Sequence, residues 1–297
     1  MYDIIIVGAG PAGLTSAIYA LRANKKVLIF EAKTYGGQIV NATIVENYPG
    51  IESISGVDYA TNLYNQVKHL GGEFKFETVI KVTEEKEVIT TKGTYKANAI
   101  ILATGAENRR LNIERESEFI GSGVSYCASC DGNFYKNKIV AVVGGGNTAL
   151  EDALYLSNIC KKVYLIHRRE SFRGEVKYLD KLKKKDNVEL ILNSNVVKLN
   201  GVKLLESIDI KDSNEEIINL KINGLFIAVG QQPKNELFSN VVTLNDAGYI
   251  ESSDGVHTNV DGIYVAGDNR VKFLRQLTTA VSDGSIAATM AIKEMKK

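Results

Sequence analysis

The chain has 297 residues, 44% of them hydrophobic and 24% charged, with a net charge of +1. That length suffices for about two domains of ordinary size, and so average a composition excludes both a disordered chain and a disulfide-stapled miniprotein. Near-neutrality leaves no concentrated basic face for nucleic acid or an anionic membrane, and no stretch approaches the roughly 18 uninterrupted apolar residues that a membrane span requires. Met1 to Gly10 read as a strand running into a glycine turn, which leaves no room there for a charged leader and cleavage site, so a cytoplasmic protein is expected. Three cysteines, two of them in one Cys-x-x-Cys, suit a reducing compartment in which a dithiol is catalytic rather than structural.

In chain order, the apolar run Tyr2 to Gly8 predicts a strand, Pro11 to Ala23 a helix, and Lys26 to Glu31 a second strand. Such continuous apolar strands are expected to be buried on both faces of a parallel sheet. Val79 to Tyr95 alternates as β-structure does, and Ile100 to Gly105 is another apolar run ending in glycine. The opening plan then recurs. Lys138 to Gly144 predicts a strand, Asn147 to Leu156 a helix, and Lys162 to His167 a strand, followed by alternating β-type sequence over Asn187 to Asn223 and the run Leu225 to Gly230. Ile263 to Asp268 and the small-residue helix Thr278 to Met295 suit a return to the first domain. The expected fold class is α/β with two Rossmann-like dinucleotide-binding domains, residues 1–108 with 236–297 and residues 109–235. The joints are expected in the glycine-bearing stretch Glu107 to Val124 and near Gln231 to Pro233.

Gly8-Ala-Gly10-Pro11-Ala12-Gly13 follows a strand and opens a helix. Gly8 allows the tight turn, Gly10 lets a pyrophosphate approach the backbone, Gly13 permits close helix packing, and the helix N-terminus faces the phosphates. Glu31, at the end of the next strand, is placed to accept hydrogen bonds from a ribose. The second fingerprint, Gly144-Gly145-Gly146-Asn147-Thr148-Ala149, puts His167 as far past Gly144 as Glu31 stands past Gly8. Here the acid is replaced by His167-Arg168-Arg169, with Arg173 beyond. A ribose 2′-phosphate repels a carboxylate and welcomes guanidinium groups, so this unit is expected to prefer NADP(H).

Cys127-Ala-Ser-Cys130-Asp131, taken alone, has three readings. A zinc site needs further ligands, but the remaining Cys160 and the scattered histidines offer no second pair, and no metal is expected. An inert buried pair sits poorly beside Ser129 and Asp131. A redox dithiol needs two neighbouring sulfurs and a group to manage the proton, which Asp131 supplies.

Over essentially its whole length the chain resembles the low-molecular-weight thioredoxin reductases. The likeness is carried by Gly8 to Gly13, Gly36 to Gln38, Glu46 to Gly50, Ala103 to Gly105, Cys127 to Gly132, Gly144 to Asn158, His167 to Arg173, and Ala266 to Asp268 with Leu274 to Gln276. The resemblance implies FAD on Gly8, Gly10, Pro11, Ala12, Gly13, Glu31, Gly37, Gln38, Asn47, Ala103, Thr104, Gly105, Gly267, Asp268, Arg275, Gln276 and Leu277. It implies NADPH on Gly146, Asn147, Thr148, Ala149, Glu151, His167, Arg168, Arg169 and Arg173. In that scheme hydride passes from NADPH to flavin, the flavin reduces the disulfide, and the dithiol reduces thioredoxin. Cys130 faces the flavin, Cys127 attacks the protein substrate, and Asp131 handles the proton. The family's homodimer and its domain rotation, hinged near the two joints, are implied as well.

Two positions depart from the family pattern. Relatives often carry an arginine where this chain has Ser122 and a phenylalanine where it has Asn133, and both positions are associated with docking thioredoxin. The protein substrate is therefore open, with Phe134 retained as an anchor. A ferredoxin-fed enzyme, a flavin dithiol oxidase and a non-enzymatic flavin module are the rival readings. The arginine-bearing segment argues against the first two, and the cysteine pair against the third. Cys160 reads as a buried inert thiol, Lys183 to Lys185 as a solvated helix end, and His69 and His257 as structural or surface residues.

Overall fold

A computed structural model describes residues 1–295 apart from Thr43 and Asp254; Lys296 and Lys297, at the end of the expected first domain, lie outside the described residues. The chain divides into two units, Met1–Glu107 with Gln232–Lys297, and Asn108–Gln231. The crossings thus fall after Glu107 and after Gln231, where the sequence reading puts them after 108 and after 235.

In the first unit β1 (Tyr2–Val7), α1 (Pro11–Arg22), β2 (Val27–Glu31), α2 (Gly56–His69) and β3 (Glu73–Phe76) lead to β4 (Val79–Val82), β5 (Glu87–Thr90) and β6 (Thr94–Leu102); β17 (Ile263–Val265) and α7 (Leu277–Glu294) complete it. The strand order is β3-β2-β1-β6-β5-β4, with β17 also on β6. Strands β3, β2, β1, β6 and β17 pair in parallel, and β4 and β5 add antiparallel. The apolar run in β1 has a physical cause in this position. Ile4 and Ile6 enter one core with α1 and α7, while Ile5 and Val7 enter a second core on the opposite face. A strand covered on both sides has no solvent face, so its sequence cannot alternate.

Helices α1 and α7 approach closely because their contact is lined with small residues. A Cβ on Gly284 would lie 2.3 Å from the Ala12 carbonyl oxygen. Ser16 Oγ crosses the seam, donating to the carbonyls of Ala12 and Gly284. At its far end α7 is tied down by Glu294, which accepts from the Tyr264 hydroxyl and pairs with His257 Nε2 at 2.9 Å.

In the second unit α3 (Glu116–Phe119), β8 (Val124–Ser125), α4 (Ala128–Asp131), β9 (Ile139–Val143), α5 (Asn147–Ser157), β10 (Lys162–Ile166), α6 (Val176–Leu182), β11 (Val188–Ile191) and β15 (Gly224–Ile227) build a parallel sheet of order β11-β10-β9-β15-β8 with its helices. Val140 and Val142 face the α5 side, and Ala141 and Val143 face the antiparallel sheet β12 (Asn195–Asn200), β13 (Ser207–Lys211) and β14 (Ile217–Lys221). The chain crosses between the units at β7 (Ala106–Asn108) and β16 (Gln231–Pro233), which pair with each other. Among the described residues no helix is long and apolar enough to cross a membrane.

Candidate functional site

The turn after β1 is built for glycine. Gly8 has φ +108°, and a Cβ there would lie 2.3 Å from the Ala103 carbonyl oxygen; a Cβ on Gly13 would lie 1.9 Å from the Gly8 carbonyl oxygen. Gly10 differs. It is the extended N-cap of α1, and a Cβ on it would meet only the Gly37 Cα, 3.9 Å away, so the space before the helix N-terminus is free of protein. That cradle fits a pyrophosphate on backbone N–H groups, with Pro11 opening the helix where no N–H partner is needed. Glu31 closes the turn from the side, its carboxylate accepting from Ala9 N and from Lys33 N, both at 3.0 Å.

Some of the remaining residues expected in this unit lie at neighbouring strand ends. Ala103, Thr104 and Gly105 follow β6, and Gly267 and Asp268 follow β17 beside it. Gln276 caps α7 through a reciprocal pair with Thr279, Leu277 opens that helix, and the Asn47 amide donates to Gln276 Oε1 at 3.2 Å. The Arg275 guanidinium lies over the Tyr249 ring and donates to the Asp268 carbonyl. Gln38 is exposed and accepts from Asn41.

Several polar residues here escaped the sequence reading. Asn269 donates to the Leu102 carbonyl and to Thr104 Oγ1, and Asn235 donates to the Asn269 and Gly248 carbonyls, so the two glycine-bearing strand ends are joined by buried amides. Asp283 of α7 accepts from Gly267 N, from Arg270 through both Nε and Nη2, and from Lys272 Nζ at 2.8 Å. Asp268 and Asn269 each keep one oxygen unsatisfied. Among the described residues the buried Oδ1 of each has no hydrogen-bond partner; Lys272 Nζ lies 3.8 Å from that of Asp268, whose pKa burial raises against the pull of Lys272. An orphaned carboxylate oxygen beside the glycine turn fits a ligand hydroxyl.

The second unit repeats the turn with different partners. Gly144, at φ +157°, would drive a Cβ to 2.3 Å from the Ala228 carbonyl oxygen, and Gly146 is the extended N-cap of α5 with nothing within 4 Å of its Cβ position. Ala149 is buried beneath the turn, whereas Thr148 and Glu151 are exposed along the first turns of α5. Arg168, Arg169 and Arg173 are exposed, and none of their guanidinium groups makes a hydrogen bond or ion pair among the described residues. His167 does not join them at the surface. Its ring, 5% exposed, packs under Gly145, stacks on Phe172 and bonds through Nε2 to the Ser171 carbonyl at 3.1 Å. Burial, followed by the neighbouring arginines, holds its pKa below the ordinary histidine range, with the Ser171 carbonyl acting in the other direction.

Cys127 and Cys130 form a disulfide with Cα atoms 5.3 Å apart, spanning the short helix α4. Ser125, not singled out from sequence, organises the group. Its hydroxyl donates to Asp131 Oδ2 at 2.6 Å and accepts from Cys127 N at 3.0 Å. Burial raises the Asp131 pKa, and the Ser125 hydrogen bond opposes that rise. A carboxyl whose pKa burial raises, four residues from Cys127 and adjoining Cys130, suits proton transfer to a leaving thiolate. Nearby, Phe134 is 39% exposed and Asn133 is exposed, while Ser122 accepts from Leu205 N through its carbonyl. Cys160 is buried and free, and burial pushes its thiol up to about 11. Lys183 and Lys184 are exposed at the end of α6, and Lys185 donates to Asn158.

The sequence profile of the pyridine nucleotide-disulphide oxidoreductases matches residues 2–284. A thioredoxin reductase of Listeria monocytogenes is 42% identical over 100% of this chain and 95% of its own length, and one of Bacillus subtilis is 40% identical over 97% and 93%. The crystal structure of a thioredoxin reductase from Streptococcus pyogenes superposes with a TM-score of 0.95 at 36% identity, covering 100% of this chain and 98% of that one. Two glycine cradles and a Cys-x-x-Cys in the second unit stand where this likeness runs, and the chain belongs to the thioredoxin reductases of the pyridine nucleotide-disulphide oxidoreductase family, flavin- and pyridine nucleotide-dependent oxidoreductases.

Proposed function

We propose that the chain is an NADPH-dependent thioredoxin-disulfide reductase, the first unit holding FAD and the second holding NADPH and the redox pair. The observation that carries this reading is the Cys127–Cys130 disulfide beside Asp131, in the same unit as a dinucleotide turn bordered by three exposed arginines. Gly8, Gly10, Pro11, Ala12 and Gly13 would hold the FAD pyrophosphate, Glu31 a ribose hydroxyl, and Asp268 Oδ1 a hydroxyl of the flavin's polyol chain. Gly37, Gln38, Asn47, Ala103 to Gly105, Gly267, and Arg275 to Leu277 would line the rest. FAD, when bound, supplies a two-electron carrier between NADPH and the disulfide.

The chain's own groups do the following. Gly146, Asn147, Thr148 and Ala149 receive the NADPH pyrophosphate at the α5 N-terminus, with Glu151 alongside. Arg168, Arg169 and Arg173 take the 2′-phosphate, and the buried His167 supports their segment. Two electrons break the Cys127–Cys130 bond, and Asp131 gives a proton to one of the two sulfurs. Cys127, as thiolate, then attacks the partner's disulfide, and Cys130 resolves the mixed disulfide, which restores the intramolecular bond and leaves the partner a dithiol, one of its protons being that supplied through Asp131 and the other taken from water. A thioredoxin-like partner, a homodimer and a cytoplasmic location belong to the same reading.

Anaerobic flavin absorbance tests it. NADPH is expected to bleach the flavin, oxidised thioredoxin of the same organism to restore it, and NADH to do little. A flavin that stays oxidised with NADPH overturns the donor and brings forward a ferredoxin-fed enzyme. Bleaching without recovery moves the substrate away from thioredoxin, and Ser122 and Asn133, standing in place of a cation and an aromatic anchor, would then be the positions to examine.

A further inference from the structure

We infer that Glu175 is a positioning residue for dinucleotide selectivity: by clasping Asn147 it fixes the segment that carries Arg173 across the N-terminal end of α5. The inference rests on the 2′-phosphate reading of the arginines given above.

The clasp is reciprocal. Glu175 N donates to Asn147 Oδ1 at 2.7 Å, and Asn147 Nδ2 donates to Glu175 Oε1 at 3.1 Å. Immediately before it, Arg173 N and Gly174 N both donate to the Gly145 carbonyl, at 2.7 and 3.1 Å. Gly174 lies so near the turn that a Cβ on it would come within 3.0 Å of the Gly146 carbonyl carbon and 3.1 Å of Asn147 N. At the other end of the segment, the His167 ring holds the Ser171 carbonyl and stacks on Phe172. Arg173 therefore sits between two anchors, with its backbone fixed and only its side chain free. A carboxylate at a phosphate site would ordinarily repel the ligand. Here the other oxygen of Glu175 is paired with Lys177 Nζ at 2.6 Å, so its charge is matched. What remains is a fixed base for a guanidinium, and ordering paid before binding is affinity gained on binding.

Glu175 is the N-cap of α6 with φ −63°, the angle proline prefers, so Glu175→Pro removes both the N–H donor and the carboxylate acceptor at an accessible φ, and its ring displaces the Asn147 amide oxygen now 2.7 Å from the nitrogen. Glu175→Gln keeps both bonds. Titration calorimetry on the holoenzyme would compare adenosine 2′,5′-bisphosphate with AMP, and retained flavin absorbance and circular dichroism would check the fold. E175P is expected to weaken the bisphosphate about tenfold and AMP by less than about twofold, with E175Q close to the unaltered protein. Unchanged bisphosphate affinity in E175P, or an equal loss for both nucleotides, overturns the inference. So does an E175Q loss as large as that of E175P, since charge rather than the clasp would then be responsible. If the unaltered protein does not prefer the bisphosphate to AMP, the 2′-phosphate reading itself fails, and the inference falls with it.

Discussion

Replacing Asp283 by alanine should be the most damaging single polar change in the first unit. The carboxylate is 7% exposed and accepts from Gly267 N, from both Nε and Nη2 of Arg270, and from Lys272, whose side chain is 5% exposed. Burial alone would raise its pKa, but the Arg270 and Lys272 hydrogen bonds outweigh burial and leave it depressed. Asp283→Ala takes from two largely buried cations their principal partner and from one backbone N–H its acceptor, and breaking such a pair from one side costs about 3 to 5 kcal/mol. For a unit of this size that is a fall of roughly 10 °C in midpoint. The chain has no tryptophan, so release of fluorescent flavin on heating reports the first unit directly, alongside far-ultraviolet circular dichroism. Asp283→Asn keeps an acceptor and should lose less. Because the folded carboxyl titrates below its ordinary value of 3.8, the stabilisation is present above that value and fades as pH falls through the folded pKa. The gap between D283A and the unaltered protein should close in acid. A D283A midpoint within about 1 kcal/mol of the unaltered protein at neutral pH would refute the reasoning.

Ser125→Ala removes the donor to Asp131 and the acceptor for Cys127 N, so the Asp131 pKa should rise further. Disulfide reduction by thioredoxin-linked assay should slow about tenfold with its Asp131-dependent limb moved to higher pH, and an unmoved limb would disconnect Ser125 from the proton. Asp152, on α5, is pushed up to about 7 by burial and then by Glu151. Its neutral form is favoured on folding, so it contributes stability below 3.8 that is lost as pH rises through about 7. Asp152→Asn should match the unaltered protein near pH 4 and exceed it by about 1 to 3 kcal/mol above pH 7 in urea unfolding, and a gain independent of pH would refute the burial account.

Much of the candidate site was legible because its signals are local. Gly8 and Gly144 need left-handed backbone conformations beside a carbonyl that excludes a Cβ, and such constraints write themselves into consecutive residues. The strands of both cores were equally readable, since Ile4 to Val7 and Val140 to Val143 are buried on both sides and lose their alternation. The expected helix Pro11 to Ala23 ends one residue earlier, at Arg22, and the expected Thr278 to Met295 is Leu277–Glu294. Helix α2 was not anticipated, although Ser55 caps it and Tyr59, Ala60, Leu63 and Val67 recur at helical spacing.

The polar supports lay beyond sequence reasoning for a different cause. Asn235 and Asn269 meet across the first unit, Asp283 meets Arg270 from the next helix, and Glu175 meets Asn147 from a separate loop. A hydrogen bond between distant positions leaves no spacing to read, because the chain between them is free to vary. His167 shows the same limit. Its place after β10 was plain, but only the packed loop decided that its ring goes under Gly145 while the arginines beside it face solvent. By itself the sequence determined the turns, the buried strands and the close spacing of the two cysteines, all of them set by near neighbours in the chain. The tertiary structure alone decided which buried charges share partners and which buried oxygens, that of Asp268 among them, find none among the described residues.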